Sequence, residues 1–389
     1  MRFPAHLGAV TLLALSAILL APHALRAQSA SPAEAQAFEQ QGRFREAADA
    51  WRAVARQEPG NATVWASLGL NLARLQQYPE AIAAYHKAAE INPRLPGLQL
   101  NLGLAEFKRQ HFDAALAPFH AALAADPRNL QARTLLGMSY YAIANYPEAA
   151  KHLGLAVKED PDNAELHGVL AQSCLLGRNF PCAQDEFSWI LQRNPDSAAA
   201  HMLLGQALDG LARTPEAIQE FVAAVKADPK AANVNFGLGY LYWKLRQDED
   251  AARSLRAELA LDPHHAGALA YLGDVELRGG DAEKALPLIQ EAVRIDPSIR
   301  IAQLDLGVIL SQQKKYPEAL AALQRAEKID PEQPDVHYRL GRVYQLMGQS
   351  EAAQKQFARV QELHQKAEDD VARKMSGQTR APANSGKKP

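Results

Sequence analysis

Prolines stand at 59, 93, 127, 161, 195, 229, 263, 297 and 331, and every interval is 34 residues. With 23 prolines among 389 residues, eight further hits in register have a chance probability on the order of 10⁻¹⁰. The preceding residue is Asn or Asp in eight of the nine cases, Glu58 being the departure. Proline lacks a backbone donor and pushes its predecessor out of the α region, so each site predicts a helix stop. Asn61, Asn129, Asn163 and Ser197 follow two residues after their prolines, where a side-chain oxygen can cap the next helix. Length alone would suggest two or three domains at roughly 150 residues each. The ruler predicts one continuous stack of like helical hairpins instead, since length in such a chain counts repeats and not separate cores.

Setting the first position at Gln28 aligns ten repeats, starting at 28, 62, 96, 130, 164, 198, 232, 266, 300 and 334. Position eight is glycine in eight of them, among them Gly69, Gly103, Gly205 and Gly307; Ala35 and Ala171 fill the other two. Position twenty is alanine in all ten, from Ala47 to Ala353. Glycine inside a helix costs about 1 kcal/mol relative to alanine. Its recurrence therefore implies close approach of two antiparallel helices, the small residue of one facing the alanine of the other. Position seven is leucine from Leu68 to Leu340, and Tyr85, Phe119, Phe187, Phe221 and Phe357 fill position twenty-four. The second helix often opens as in Tyr78-Pro79-Glu80-Ala81, with proline where a missing N–H is harmless and an acid where the helix dipole favours it. The low aromatic content, 7%, fits a fold made of close alanine contacts.

The ladder Trp65, Leu68, Gly69, Ala81, Tyr85, Ala88 and Pro93, with Leu72 in the tyrosine slot, resembles the tetratricopeptide repeat family, and more narrowly an exported bacterial member of it. The resemblance implies an all-α fold, a right-handed α-solenoid of about ten hairpins whose first helices line a concave groove. The terminal repeats depart as solenoid ends should. Ser31, Glu34 and Ala35 replace bulky slots in the first, and Gln365 stands where proline would stop the last helix. That helix is expected to run to about Met375, so the solenoid spans 28–375; residues 376–389 are polar and expected to be disordered.

Arg2, an apolar run from Leu7 to Ala21, Pro22 and the small residue Ala27 follow the order of an export signal over residues 1–27. The run is shorter than the ~18 residues a membrane span needs, so no stable anchor is expected after cleavage. The location predicted is periplasmic or secreted. Forty-two basic against 44 acidic residues exclude nucleic-acid binding by bulk positive charge.

Twelve histidines raise the question of metal or catalysis. His167, His201 and His337 share position four of three different repeats, and no ligand spacing of the His-Glu-x-x-His or Cys/His kind occurs. Neither a Gly-x-Ser-x-Gly elbow nor a phosphate-binding glycine loop is present. No cofactor, metal or enzymatic activity is expected. Cys174 and Cys182 lie eight residues apart across the turn of the fifth repeat. The spacing admits a disulfide, which export would permit, and equally two buried thiols.

In the family that the ladder resembles, ligand contacts come from positions 2, 5, 6, 9, 12 and 13. A carboxylate-clamp pattern and an asparagine ladder at position six are both missing. The groove positions carry apolar and aromatic residues instead: Leu70, Leu104, Met138 and Tyr240 at position nine, and Phe107, Tyr141, Leu175 and Trp243 at position twelve. Met202, Phe236, Leu304 and Tyr338 stand at position five, and Lys244 and Arg278 are among the basic residues at position thirteen. Such surfaces mark interaction sites. The function expected is a non-enzymatic exported scaffold that holds an apolar or amphipathic peptide of a protein partner in its groove. The alternative is an envelope-polysaccharide assembly or secretion factor, with Tyr141, Phe236 and Trp243 stacking on sugars.

Overall fold

The computed structural model describes residues 31–375; the expected export signal over 1–27 and the expected disorder over 376–389 lie outside the described residues. Among the described residues all regular structure is α-helical. The chain divides into two compact units at Ala132–Arg133. The first holds α1 (Pro32–Gln40), α2 (Phe44–Gln57), α3 (Ala62–Arg74), α4 (Tyr78–Ile91), α5 (Leu98–Lys108) and α6 (Phe112–Ala125). Helix α7 (Leu130–Ala142) crosses the division. The second continues with α8 (Tyr146–Glu159), α9 (Ala164–Leu176), α10 (Phe180–Arg193), α11 (Ala198–Gly210), α12 (Thr214–Ala227) and α13 (Val234–Lys244). It ends with α14 (Asp248–Leu261), α15 (Ala266–Arg278), α16 (Ala282–Ile295), α17 (Arg300–Gln312), α18 (Tyr316–Ile329), α19 (Pro334–Leu346) and α20 (Ser350–Met375).

The turn chemistry behind the ruler is visible at each joint. Asn61 accepts from the Thr63 N–H at 3.1 Å and Asn129 from Ala132 at 2.8 Å. Asn163 and Ser197 accept from Leu166 and Ala200 at 3.3 and 3.2 Å, so all four serve as caps. The acid or amide before proline has its own task. Asn92, Asp126, Asp228, Asp262, Asp296 and Asp330 each accept from the amide two residues on, at 2.8–3.2 Å, closing a side-chain turn around the proline. Within each hairpin the turn needs one left-handed residue. Glycine supplies it at Gly42, Gly280 and Gly348, but Gln76, Gln110, Ala144, Arg178, Ala212, Arg246 and Lys314 adopt φ of 58–63° despite the cost to a residue with a Cβ.

Position four explains the histidines. Trp65 Nε1 donates to the Pro59 carbonyl at 3.0 Å, and Gln99, Asn235 and Gln303 donate to Pro93, Pro229 and Pro297 at 3.0–3.3 Å. His167, His201 and His337 place Nε2 2.9 Å from the carbonyls of Pro161, Pro195 and Pro331. A side-chain donor therefore ties the first helix of one repeat to the turn that ends the repeat before it. This occupies one nitrogen of each ring, and the Nδ1 atoms of His167 and His201 meet Glu186 and Glu220 at 2.5 and 2.6 Å.

The close approach at position eight differs in its partner from the expectation. A Cβ on Gly69 would fall 2.6 Å from the Tyr85 ring, one on Gly103 2.7 Å from Phe119, and one on Gly307 2.5 Å from Leu323. The glycines thus make room chiefly for the position-twenty-four side chain. The alanine contributes its backbone, with the Ala319 carbonyl 3.2 Å from the same point at Gly307.

Two helices begin late. Leu98 and Val234 open α5 and α13 two residues after the repeat starts at 96 and 232, behind Gly97 and Asn233 at φ 76° and 64°. With no side-chain cap in sequence, α13 is capped from a neighbour: buried Glu258 accepts from the Asn233 and Phe236 N–H groups at 3.2 and 3.0 Å. In the fifth repeat the Cys174 and Cys182 sulfurs are joined, with Cα atoms 5.7 Å apart, across the turn between α9 and α10.

Candidate functional site

The predicted groove residues behave differently along the chain. In the first unit Leu70 is exposed, Leu104 is half-buried, and Phe107 packs edge-on to Phe112 at 5.2 Å. In the second unit Met138 and Leu175 are half-buried, and Tyr141 donates its hydroxyl to Gln172 at 2.9 Å. Tyr338 is 46% exposed, with Arg339 lying over its ring and Phe357 6.1 Å away. Leu304 is buried, so its position-five slot belongs to the core at that repeat. Only Met202, Phe236, Tyr240 and Trp243 come together.

They do so because α13 and α15 pack with their long side chains meshed. Tyr240 and Trp243, one turn apart on α13, stack at 5.8 Å, and Tyr271 of α15 meets them edge-on at 5.3 and 4.7 Å. Phe236 closes the cluster, 6.1 Å from Tyr271 and 4.6 Å from His265. Gly267 leaves it room, since a Cβ there would meet the Phe236 ring at 2.9 Å, and Gly237 makes room for Phe221, where a Cβ would fall 2.2 Å from the ring. A cavity of about 410 Å³ opens on one side between Met202, Gln206, Phe236 and Tyr240. Another of about 700 Å³ opens on the other, between Phe236, Trp243, Tyr271, His265 and Arg300. Both fall within the size range of small-ligand and side-chain pockets. Tyr271 is the member that sequence reading missed. It stands at position six, and its signal is an aromatic facing the aromatics of the preceding repeat.

Charges frame this cluster. Lys244 binds both Asp209 oxygens at 2.7 and 2.9 Å. Trp243 Nε1 donates to Asp274 at 2.5 Å, and Arg278 is held between Asp274 and Asp248, each at 2.9 Å. Arg300 pairs with Asp335 at 2.9 Å. Burial, with the approach of Tyr240 next, pushes the Tyr271 hydroxyl up to about 12. Asp305 is 5% exposed, and its Oδ2, like Asp248 Oδ1, has no hydrogen-bond partner. Burial first, and the Asp274 charge second, hold its carboxyl well above the usual carboxylate range, against the opposing pull of Arg278, Arg300 and Arg339.

A stability prediction follows. An acid with a raised folded pKa favours folding fully only below its unfolded value of about 3.9, and the benefit drains as pH rises toward the folded value. Asp305→Asn keeps the shape without the titration. It is expected to stabilise the second unit by about 1–3 kcal/mol at pH 7.5, and by less at pH 4.5, in urea unfolding. A loss of stability at pH 7.5 would show that the carboxylate has a partner there.

Among the described residues no group of three or more His, Cys, Asp or Glu side chains is placed to hold a metal, and no helix is long and apolar enough to cross a membrane. A search of the curated protein sequences returns no match. The crystal structure of the APC/C hetero-tetramer Cut9-Hcn1 is similar over 85% of this chain and 72% of that chain, at 17% identity and a TM-score of 0.51, which shows a shared fold. A crystal structure of MamA is similar over 43% of this chain and 97% of its own, at 23% identity and a TM-score of 0.36. A further MamA structure, MSR-1 C2, covers 42% of this chain at 22% identity and a TM-score of 0.38, and 95% of its own length is covered. Tetratricopeptide repeat profiles match residues 33–96, 170–232 and 236–298, and 106–173 and 335–367, and a TPR repeat profile matches 307–348. The period, the hairpins and these matches agree along the chain, which belongs to the tetratricopeptide repeat family.

Proposed function

We propose that the chain is a non-enzymatic, exported interaction scaffold that holds an apolar or amphipathic peptide segment of a partner protein at the first helices of repeats six to eight. One observation carries this reading: a half-buried cluster of Phe236, Tyr240, Trp243 and Tyr271 between two cavities, on helices whose own packing does not fill them. Aromatics held rigid by neighbours lose little entropy on binding and are the common anchors of interfaces. The joined pair Cys174–Cys182 supports export, because such bonds persist in oxidising compartments. Repeat proteins of this family present their surfaces for other proteins, and nothing in the site resembles a nucleophile with its base.

The test is a displayed library of random dodecapeptides selected on the purified protein. Tyr240→Ala with Met202→Ala is expected to weaken the selected peptides at least ~10-fold, as loss of a central anchor does, with a melting temperature within about 5 °C of wild type. Trp243 is left intact in this test, since its indole holds Asp274. Undiminished binding by the double variant would remove the aromatic cluster as the docking site.

A further inference from the structure

Repeats three and seven open their first helix with the same irregular step, and only one of them supplies it with an acid. The residue at position two turns left-handed, Gly97 at φ 76° and Asn233 at φ 64°, and the helix starts one residue later. The backbone bonds around the step match. Leu98 N–H reaches the Leu95 carbonyl at 3.1 Å as Val234 reaches Ala231 at 3.3 Å, and Asn101 reaches Gly97 at 3.0 Å as Gly237 reaches Asn233 at 2.9 Å. The amides of positions two and five are therefore aimed alike in both repeats. In repeat seven both donate to the buried Glu258 carboxylate. Glu258 stands at position twenty-seven, which is alanine, valine or isoleucine in the other nine repeats and Ala122 in repeat three.

Where repeat seven has that carboxylate, repeat three has a cavity of about 820 Å³, lined by Gly97, Leu100 and Ala122 together. A Cβ on Gly97 would meet nothing within 4 Å, and among the described residues the Gly97 and Leu100 amides have no acceptor. Pro93, Leu95, Pro96 and the alanines at the end of α6 make most of the remaining wall apolar. Arg94 lines it as well and makes no ion pair among the described residues, while Asp126, the acid on the wall, turns its Oδ1 to the Arg128 amide at 3.0 Å. Helix starts without a side-chain cap also occur at α17 and α19. The apolar cavity and the filled counterpart in repeat seven set α5 apart. We propose that this cavity binds a small aliphatic acid, its carboxylate on the Gly97 and Leu100 amides as Glu258 lies in repeat seven, and its chain along the alanines of α6. Helix-start amides favour an anion and bind it by charge-assisted hydrogen bonds, and an apolar wall holds the chain. The donors are backbone amides of the first unit, so the site does not depend on the aromatic docking cluster or on a clamp of lysine and asparagine side chains.

The experiment titrates octanoate into the full chain by calorimetry, beside octanamide, which keeps the shape and removes the charge. Amide NMR spectra locate the bound acid. The variant is Ala122→Glu, which supplies the carboxylate from within as repeat seven does, and its helicity is checked. Octanoate is expected to bind wild type at least ~10-fold more tightly than octanamide, and Ala122→Glu to weaken octanoate at least ~10-fold. The Gly97 and Leu100 amide signals should move with octanoate in wild type. Equal affinity for acid and amide overturns the site, because the amides then contribute nothing. Octanoate binding that survives in Ala122→Glu, or that moves signals away from α5, overturns it by placing the acid elsewhere, and no binding of octanoate overturns it outright. Should Ala122→Glu fail to fold, the acid–amide comparison and the two wild-type amide signals decide alone.

Discussion

Phe119→Ala is expected to lower the stability of the first unit by about 3–5 kcal/mol in urea unfolding. The ring is fully buried, and the space it fills exists because Gly103 has no Cβ, which would fall 2.7 Å from it. Truncation therefore leaves a cavity whose opposite wall is bare backbone. A glycine cannot move a side chain into the gap, so relaxation should recover less than at a site walled by leucine. The loss should also be local. In a stack of repeats each hairpin depends on its nearest neighbours, so amide exchange should quicken most in α5 and α6. A loss under about 1 kcal/mol would mean that the helices close over the gap, and that the glycine ladder is more compliant than its contacts imply.

Removing the bond between Cys174 and Cys182 is expected to cost about 2–3 kcal/mol. The two residues are eight apart, and the chain-entropy relation for a closed loop of that size gives about 2.5 kcal/mol. Cys174 is fully buried beside the turn, so alanine is the replacement at both positions, leaving no unpaired hydroxyl in the core. Under non-reducing conditions the double alanine variant should unfold at lower urea than wild type. Reductant should lower the wild type to about the variant's midpoint and leave the variant unmoved. A wild type indifferent to reductant, with a mass that does not rise by two protons on reduction, would mean that the sulfurs are apart in the protein.

How much of this was open to sequence reading depended on whether a position's task is local. Proline, the Asx before it and the cap after it act within four residues, so Asn61, Asn129, Asn163 and Ser197 could be assigned from spacing alone. The histidines at position four were harder. Their slot was evident, but their acceptor is the carbonyl of the preceding repeat's proline, six residues back and in another hairpin. The glycine ladder gave the close approach but misnamed its occupant, because the facing residue is fixed by how two helices mesh. The late starts of α5 and α13 were hidden because Gly97 and Asn233 leave the 34-residue count undisturbed. At the site, position number predicted Met202, Phe236, Tyr240 and Trp243 but scattered them among residues that never meet, and Leu304 proved buried. Tyr271 and Asp305 belong to position six, where individual residues differ from repeat to repeat and no period draws the eye.

The tie between position four and the preceding proline carbonyl is broken at one repeat in a telling place. Repeats seven and nine make it with Asn235 and Gln303, whereas repeat eight has Leu269, which has no polar hydrogen to give the Pro263 carbonyl. Seen as a jointed rod, the second unit has one pinned hinge fewer at this point. The joint is fastened on other sides instead, where Trp243 Nε1 donates to Asp274 and Arg278 pairs with Asp248. That is the joint across which Trp243 meets Tyr271 and Phe236 meets His265. The aromatic cluster and its indole therefore take over here the fastening that a polar side chain does at the adjacent joints, so the same side chains that would meet a partner also hold two repeats together.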